Sequence, residues 1–183
     1  MVKAVFLDRD GTLNVEKDYL YKIEEFQWED RAVEALKIIS GLGYKIFVVT
    51  NQSGVARGYY SEDDVVKLHE YMQSELAKEG IKIEEYYYCP HHEKGIEKYR
   101  VNCRCRKPET LHFENAATKY EIDFAESYVV GDKGSDLEAA VRLGMKPVLV
   151  RTGHGKEEEK QLYMKSEVYD NLYEFAVKLK ERR

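Results

Sequence analysis

Two aspartates, Asp8 and Asp10, lie two positions apart at the end of the apolar run AVFL. Residues two apart in an extended chain point to the same side, so both carboxylates can face one pocket while Arg9 points away. A carboxylate can attack phosphorus when a cation such as Mg²⁺ neutralises its repulsion from the phosphate. We therefore predict Asp8 as the nucleophile that forms an aspartyl phosphate, and Asp10 as the acid and then the base.

Two further clusters could bind the phosphoryl group. The stretch TNQSG, at residues 50 to 54, offers side-chain donors and successive backbone N–H groups for phosphoryl oxygens. Lys107 precedes Pro108 at a predicted helix start, where its charge could neutralise a transferring phosphoryl group. Taken alone, DxDGT and TNQSG are also compatible with ordinary turns, and Lys107 with a surface lysine. The predicted binding residues of the second cluster are Thr50, Asn51, Gln52 and Ser53.

The stretch GDKGSD, at residues 131 to 136, adds a third acidic position after another apolar run. Asp132 is a candidate Mg²⁺ ligand together with Asp8 and Asp10, and Asp136 is a candidate partner behind the ligands. Part of the stretch has a structural explanation, because Ser135 and Glu138 fit a helix capping box. Asp132 is not explained in that way.

The loop at residues 89 to 107 holds all three cysteines of the chain. Cys89, His91, Cys103 and Cys105 are a set of ligands suited to tetrahedral Zn²⁺, with His92 as the alternative to His91. Four protein ligands leave no open position, so such a zinc ion would be structural and would fold a loop that leads to Lys107. The alternative is a set of buried free thiols.

The elements that must position these residues alternate between strand and helix. Apolar runs that end in polar residues are typical of strands buried on both faces of a parallel sheet. Capping residues and glycines mark the helix ends. The predicted strands are residues 4–8, 45–50, 84–89, 127–132, 146–150 and 167–169, and the predicted helices are 31–40, 61–79, 109–120 and 171–181. This order predicts an α/β fold with a mainly parallel sheet, in which ligands collect at the carboxyl ends of the strands.

The length and charge of the chain limit the remaining possibilities. A chain of 183 residues suits a single domain over 1–183. A formal net charge of -5 argues against broad binding to nucleic acid or to an anionic membrane. The sequence shows neither a membrane span nor a secretory signal. We expect a cytoplasmic monomer that acts on a small phosphorylated substrate.

The clusters DxDGT, TNQSG, KP and GDxxxD, in this order, resemble the haloacid dehalogenase (HAD) superfamily of phosphohydrolases. The resemblance implies a three-layer Rossmann-like sandwich and a catalytic Mg²⁺ bound by Asp8, by the main-chain carbonyl of Asp10 and by Asp132. The short intervals between the motifs leave no room for a cap domain. The resemblance therefore implies a capless enzyme with an open site.

The cysteine loop joined to CRKP is similar to that of D-glycero-D-manno-heptose 1,7-bisphosphate phosphatases and of the related histidinol-phosphate phosphatases. The long interval before the CxC pair and the stretches LDRDGTLNVEKDYLY and VVTNQSGVARG favour the first group. The resemblance then implies removal of the C7 phosphate through an aspartyl phosphate, which yields heptose 1-phosphate for nucleotide-activated heptose and lipopolysaccharide synthesis. It also implies sugar or phosphate contacts from Glu16, Lys17, Asp18, Tyr19, Arg106 and Lys133.

Two alternatives remain open at this stage. The first is a histidinol-phosphate phosphatase, which has the same motifs with a shorter zinc loop. The second is of another class, a metal-stabilised binding module whose acidic pocket holds Mg²⁺ without turnover. A phosphatase of nucleic-acid ends is disfavoured, because the sequence has no basic and aromatic strip for a nucleic acid.

Overall fold

Six parallel strands form one central sheet in the order β3-β2-β1-β4-β5-β6. The structure is a computed structural model and describes residues 1 to 182. The strands are β1 Ala4–Leu7, β2 Lys45–Asn51, β3 Glu85–Cys89, β4 Tyr128–Gly131, β5 Lys146–Val150 and β6 Glu167–Tyr169. Every residue of β1 and β4 is buried, as expected for strands that are covered on both faces. The predicted strands are confirmed, with ends that differ by a residue at most.

Helices cover both faces of this sheet. They are α1 Ala32–Gly41, α2 Ser53–Ala56, α3 Glu62–Lys78, α4 Leu111–Tyr120, α5 Gly134–Leu143, α6 Gly155–Lys160 and α7 Leu172–Glu181. The side chains of β1 alternate between the two faces: Val5 and Leu7 share a core with α1, α3 and α7, while Ala4 and Phe6 share another with α4 and α5. The result is the predicted three-layer sandwich.

The starts of two helices differ by more than one residue from the sequence predictions. The predicted capping box of Ser135 and Glu138 is wrong, because α5 already begins at Gly134 and Ser135 lies inside its first turn. Asp136 instead accepts a hydrogen bond from the backbone N–H of Lys133 at 3.2 Å, while Glu138 contacts Arg142 and Tyr163. Helix α4 begins at Leu111 rather than at residue 109.

The connections between the strands are short. A loop with a 3₁₀ turn at Ile23–Glu25 and helix α1 join β1 to β2, and the cysteine loop with helix α4 joins β3 to β4. Within residues 1 to 182 these intervals hold no cap domain, so the edge of the sheet where β1, β2 and β4 end stays open. None of the helices in this part of the chain is both long and apolar enough to cross a membrane.

Candidate active site and metal cluster

The candidate active site lies at the carboxyl ends of the adjacent strands β2, β1 and β4. Asp8 follows β1, Thr50 lies near the end of β2, and Asp132 follows β4. Parallel strands bring these ends to one edge, and β2 and β4 flank β1 on opposite sides, which opens a crevice there. Asp8 and Asp10 both line a cavity of about 200 Å³ in this crevice. A second cavity of about 210 Å³ extends from Asp10 toward the loop after β1.

Lys107 places a buried positive charge beside the predicted nucleophile. Its Nζ donates to Asp8 Oδ1 at 2.9 Å, pairs with Asp136 Oδ1 at 2.6 Å, and also contacts the carbonyl of Val49. Only 4% of Lys107 is exposed. Burial alone would lower the pKa of Lys107, but the carboxylates of Asp136 and Asp8 raise it above its ordinary value. The ammonium therefore stays charged in the site.

Asp132 offers a buried oxygen to a cation. Its Oδ2 accepts a hydrogen bond from the backbone N–H of His154 at 2.8 Å, whereas Oδ1 is buried with no partner within residues 1 to 182. Burial, together with the charges of Asp8 and Asp136, raises the pKa of Asp132 to about 9. Carboxylate oxygens of these three aspartates lie within 4.8 Å of one another. The oxygen donors that Asp8 and Asp132 contribute to this group fit Mg²⁺.

Two glycines allow the backbone to close around Asp132. A Cβ on Gly11 would lie 2.2 Å from Asp132 Oδ2, and one on Gly153 would lie 2.3 Å from the same atom. Both residues also have positive φ angles, of 81° and 54°, which side chains disfavour. The glycine of DxDGT therefore serves the position of Asp132 in addition to the turn.

Asp136 already has partners on both of its oxygens. Oδ1 pairs with Lys107, and Oδ2 accepts from the backbone N–H of Lys133. Burial and the charge of Asp8 raise the pKa of Asp136 to about 6, although Lys107 acts in the opposite direction. Its position therefore suits the predicted role behind the metal ligands.

The carboxylate of Asp10 is surrounded by donors. Arg9 Nη2 approaches both of its oxygens at 3.0 and 3.1 Å, Asn14 donates to Oδ1 at 2.9 Å, and Gln52 donates to Oδ2 at 3.0 Å. Burial alone would raise the pKa of Asp10, but Arg9 and these hydrogen bonds lower it overall. The free carboxylate is thus the favoured state before a substrate arrives.

Simple alternation along a strand predicts that the side chain of Arg9 extends away from the site, but it does not. The chain leaves strand geometry after Leu7, and the fully buried guanidinium folds back beneath Asp10. Its Nη1 lies 3.2 Å from Nε2 of His69, which is itself buried and stacked on Tyr86. Burial and the nearby guanidinium lower the pKa of His69 to about 3, so this imidazole is neutral and can accept a hydrogen bond from Arg9.

Some polar residues of TNQSG line the cavity at Asp8, while the amides of others are bonded within the protein. Thr50 and Ser53 line the cavity at Asp8, as predicted for phosphate contacts. Asn51 lines the same cavity, but its amide bonds the backbone N–H and carbonyl of Lys107 at 3.0 and 3.2 Å. The amide of Gln52 is likewise engaged within the protein.

The second cavity gathers most of the residues expected to contact the sugar. Glu16, Asp18, Tyr19 and Lys133 line it. Asp18 and Tyr19 have positive φ angles of 46° and 63°, which are uncommon for residues with side chains and mark a constrained loop. Lys17 is placed differently, because its Nζ donates to the carbonyl of Glu25 at 2.6 Å and the residue lines neither cavity.

Charges from several sides meet across this second cavity. Glu16 has a raised pKa because of burial and the nearby charge of Asp10, and its Oε2 lies 3.6 Å from Nε2 of His154. Lys133 has a raised pKa because Asp8, Asp132 and Glu16 outweigh the effect of its burial. Arg106 lines the neighbouring cavity, and its buried Nη1 has no partner within residues 1 to 182.

The cysteine loop folds into one cluster of potential metal ligands. The Sγ atom of Cys89 lies 2.8 Å from that of Cys105 and 3.5 Å from that of Cys103. His91 Nδ1 lies 3.3 Å from Cys105 Sγ. Ligands of a tetrahedral zinc ion are separated by about 3.5 to 3.8 Å, so the four atoms fit zinc after a small expansion. The alternative ligand His92 is not in this cluster, because its Nδ1 accepts from the N–H of Lys94.

Comparisons with known proteins show which proteins this chain resembles. A model of the HAD-hydrolase-like family matches residues 104–175. The D-glycero-beta-D-manno-heptose-1,7-bisphosphate 7-phosphatase of Haemophilus influenzae is 45% identical over 154 residues, which cover 84% of each chain. This chain belongs to the heptose-1,7-bisphosphate 7-phosphatase family. The predicted resemblance to that family is therefore confirmed.

Other members of the heptose bisphosphatase family extend the comparison. The D-glycero-alpha-D-manno-heptose-1,7-bisphosphate 7-phosphatase of Photorhabdus laumondii is 43% identical over 159 residues, or 86% of this chain and 87% of the relative. The crystal structure of D,D-heptose 1.7-bisphosphate phosphatase from B. bronchiseptica, complexed with magnesium and phosphate, matches with a TM-score of 0.89. Its sequence is 30% identical, and the match covers both chains completely.

Ser135, which lines the cavity at Asp8, and four further residues at the site of this heptose bisphosphatase family member were not predicted from sequence. Arg9 and Asn14 bind Asp10, Tyr60 bonds Gln52, and His154 faces Glu16. Arg9 lies between the two aspartates of DxDGT, so its position in the motif was a usable signal. Tyr60 and His154 gave no comparable signal, since aromatic and histidine residues occur throughout the chain.

Proposed function

We propose that this chain hydrolyses the C7 phosphate of D-glycero-D-manno-heptose 1,7-bisphosphate and releases heptose 1-phosphate. The observation that carries the proposal is the ion pair of Asp8 with the buried ammonium of Lys107 at one cavity, with a carboxylate oxygen of Asp132 within 4.8 Å of one of Asp8. The relatives that match most of this chain bear this activity in their names. The names include both anomers of the substrate, so we leave the anomer open.

The residues of the first cavity divide the chemistry between them. Asp10 takes up a proton from water as the negatively charged substrate binds beside it. Asp8 then attacks phosphorus and forms an aspartyl phosphate, while Asp10 gives that proton to the departing C7 oxygen. Asp10, then a carboxylate, removes a proton from the water that attacks the aspartyl phosphate, and Asp8 is released. Lys107, Thr50 and Ser53 hold the phosphoryl oxygens during both steps. Mg²⁺, when held by Asp8, the Asp10 carbonyl and Asp132, supplies the charge that lets a carboxylate approach a phosphate.

The second cavity would hold the sugar. Glu16, Asp18, Tyr19 and Lys133 line it, so hydroxyl groups of a heptose meet both acceptors and donors there. Arg106 lines the first cavity, and its guanidinium, whose Nη1 has no partner within residues 1 to 182, could bind an anionic group of the substrate. Lys17 would need to leave the carbonyl of Glu25 to take part.

The cysteine cluster has a supporting role in this proposal. A zinc ion held by Cys89, His91, Cys103 and Cys105 would be structural, because four protein ligands fill a tetrahedral site. The loop continues directly into Arg106 and Lys107, so its fold sets their positions. We further propose that the enzyme acts in the cytoplasm as a monomer, on the route to nucleotide-activated heptose for lipopolysaccharide.

Phosphate release from a panel of substrates tests the proposal. The panel contains both anomers of heptose 1,7-bisphosphate, histidinol phosphate and a 5′-phosphorylated oligonucleotide, each assayed with Mg²⁺ and with Asp8→Asn as the matched control. We expect the highest kcat/KM with one of the heptose bisphosphates. A higher kcat/KM with histidinol phosphate would reassign the substrate, and no turnover of any ester would indicate a binding module.

A further inference from the structure

The amide of Gln52 has a fixed orientation beneath Asp10. Its Nε2 donates to Asp10 Oδ2 at 3.0 Å and to Thr50 Oγ1 at 2.8 Å, while its Oε1 accepts from Tyr60 Oη at 2.6 Å. Arg9 Nη2 also approaches Oε1, at 3.3 Å. A rotated amide would turn its oxygen toward the carboxylate of Asp10, and two acceptors would then face each other. The donors on Oε1 therefore decide which group Gln52 presents to Asp10.

The hydroxyl of Tyr60 is held in place by the fold. Tyr60 is only 8% exposed, and its ring stacks on Tyr21 with 5.1 Å between the ring centroids. On the other side it lies against Gly54, where a Cβ would be 2.1 Å from Cε1 and 2.7 Å from Oη of Tyr60. The glycine of TNQSG thus leaves space for this phenol. Burial raises the pKa of Tyr60 well above its ordinary value, so the hydroxyl keeps its proton and can donate a hydrogen bond to Gln52.

We infer that Tyr60 is a positioning residue that orients Asp10 for proton transfer through the amide of Gln52. This inference rests on the proposed phosphatase function. In the first step, the bond from Asp8 to phosphorus forms, the bond from phosphorus to the leaving oxygen breaks, and the proton of Asp10 moves to that oxygen. Asp10 then becomes a carboxylate, and the N–H groups of Gln52 and Arg9 receive its charge. A carboxyl group in the wrong orientation would impair this proton transfer.

The dependence on the leaving group separates this role from a structural one. p-Nitrophenolate departs readily without a proton, whereas phenolate is more basic and gains more from protonation by Asp10. The two aryl phosphates have nearly the same shape, so general damage to the site would reduce the hydrolysis of both equally. A residue that acts through Asp10 affects phenyl phosphate more.

The test compares kcat/KM of Tyr60→Phe with that of the unchanged protein on these two esters. We expect a loss of roughly 5- to 30-fold on phenyl phosphate, the size of one well-placed hydrogen bond, and about 3-fold or less on p-nitrophenyl phosphate. The exposed neighbour Tyr59 is the matched control, since Tyr59→Phe keeps the ring and should leave both values unchanged. Equal losses on the two esters would overturn the inference.

A second variant tests the path through Gln52. Gln52→Leu removes the donor to Asp10 and should likewise lower kcat/KM more on phenyl phosphate than on p-nitrophenyl phosphate. This variant still tests the inference if Tyr60→Phe folds poorly. In the double variant, Tyr60→Phe should add no further selective loss to that of Gln52→Leu, because Tyr60 can no longer act on Asp10 through the amide of Gln52. An added selective loss would mean that Tyr60 acts by another route. If the unchanged protein hydrolyses p-nitrophenyl phosphate and heptose bisphosphate but the selective loss is absent, only the positioning role fails; if it hydrolyses no ester, both proposals fail.

Discussion

At the scale of single residues, Lys107 decides how two buried carboxylates can share the site. Its ammonium lies 2.9 Å from an oxygen of Asp8 and 2.6 Å from an oxygen of Asp136. A buried charge is costly unless it is paired and hydrogen-bonded, and here each of the charges has such a partner. The proposed nucleophile therefore works beside a permanent positive charge, which a phosphoryl group can share when it binds.

The two aspartates of DxDGT should fail in different ways when each is replaced by asparagine. Asp8→Asn should prevent phosphoenzyme formation and lower kcat by about 10⁴-fold or more, because an amide is not a nucleophile here. Asp10→Asn should still form the phosphoenzyme and lose roughly 10²- to 10⁴-fold, the usual contribution of a general acid and base. Rapid-quench labelling with ³²P-labelled substrate separates the two. Normal multiple turnover by Asp8→Asn would contradict the assignment.

At the scale of elements, the cysteine loop is fastened to the sheet and to helix α3. The hydroxyls of Tyr88 and Tyr99 donate to the two oxygens of Glu62, at 2.9 and 2.8 Å, and Glu62 begins α3. At the other end, Asn51 bonds the backbone of Lys107. Tyr99 thus ties the middle of the loop to α3 and Asn51 ties its end to β2, while the cysteine cluster joins the start of the loop to its last residues.

Zinc retention should depend on His91 and not on its neighbour His92. We expect about one zinc ion per chain in the unchanged protein, bound by three thiolates and one imidazole. His91→Gln removes one of the four ligands and should weaken zinc binding by more than ~100-fold, since even outer partners of a site contribute 10- to 100-fold. His92→Gln should retain zinc, because its ring bonds only the Lys94 N–H. Competition with a chelator measures both, and equal zinc loss from the two variants would contradict the ligand assignment.

At the scale of the whole molecule, the neutral buried His69 makes stability depend on pH. Its pKa is about 3 in the folded chain, below an ordinary value of about 6.5 in the unfolded chain. Between these two pH values the unfolded chain therefore binds more protons than the folded chain. The contribution of neutral His69 to stability is fully present above pH 6.5 and is lost as the pH falls toward 3.

Replacement of His69 should flatten this dependence. As the pH decreases from about 6 to 4, His69 should lower the free energy of unfolding by up to ~1.4 kcal/mol per pH unit. His69→Gln keeps an acceptor for Arg9 but cannot be protonated, so this part of the loss should vanish. Urea unfolding at several pH values measures the difference, with the partly exposed His92→Gln as the control. Parallel pH curves for the unchanged protein and His69→Gln would contradict the prediction.

Local patterns in the sequence were sufficient for the elements and for the main acidic residues. The sequence predicted β1 and β4 correctly because a strand that is buried on both faces of a parallel sheet is apolar along its whole length. Asp8, Asp10 and Asp132 stood out because each follows such a run, and the carboxyl ends of parallel strands meet at one edge. The three cysteines of the metal cluster were also predictable, since they lie close together in the chain, but only the structure placed His91 rather than His92 beside them.

Only the tertiary structure decided which groups these residues touch. The ion pair of Lys107 and Asp8 joins positions 99 residues apart, and the hydrogen bond of Gln52 to Asp10 joins positions 42 apart. No periodicity of the chain encodes such pairs, so the inward turn of Arg9, the amide orientation set by Tyr60 and the displacement of Lys17 were not predicted. The sequence by itself determined the fold and the chemical groups at the sheet edge, because hydrophobic patterning and motif spacing are local. The structure decided their partners, because hydrogen bonds between distant segments form only once the core has packed.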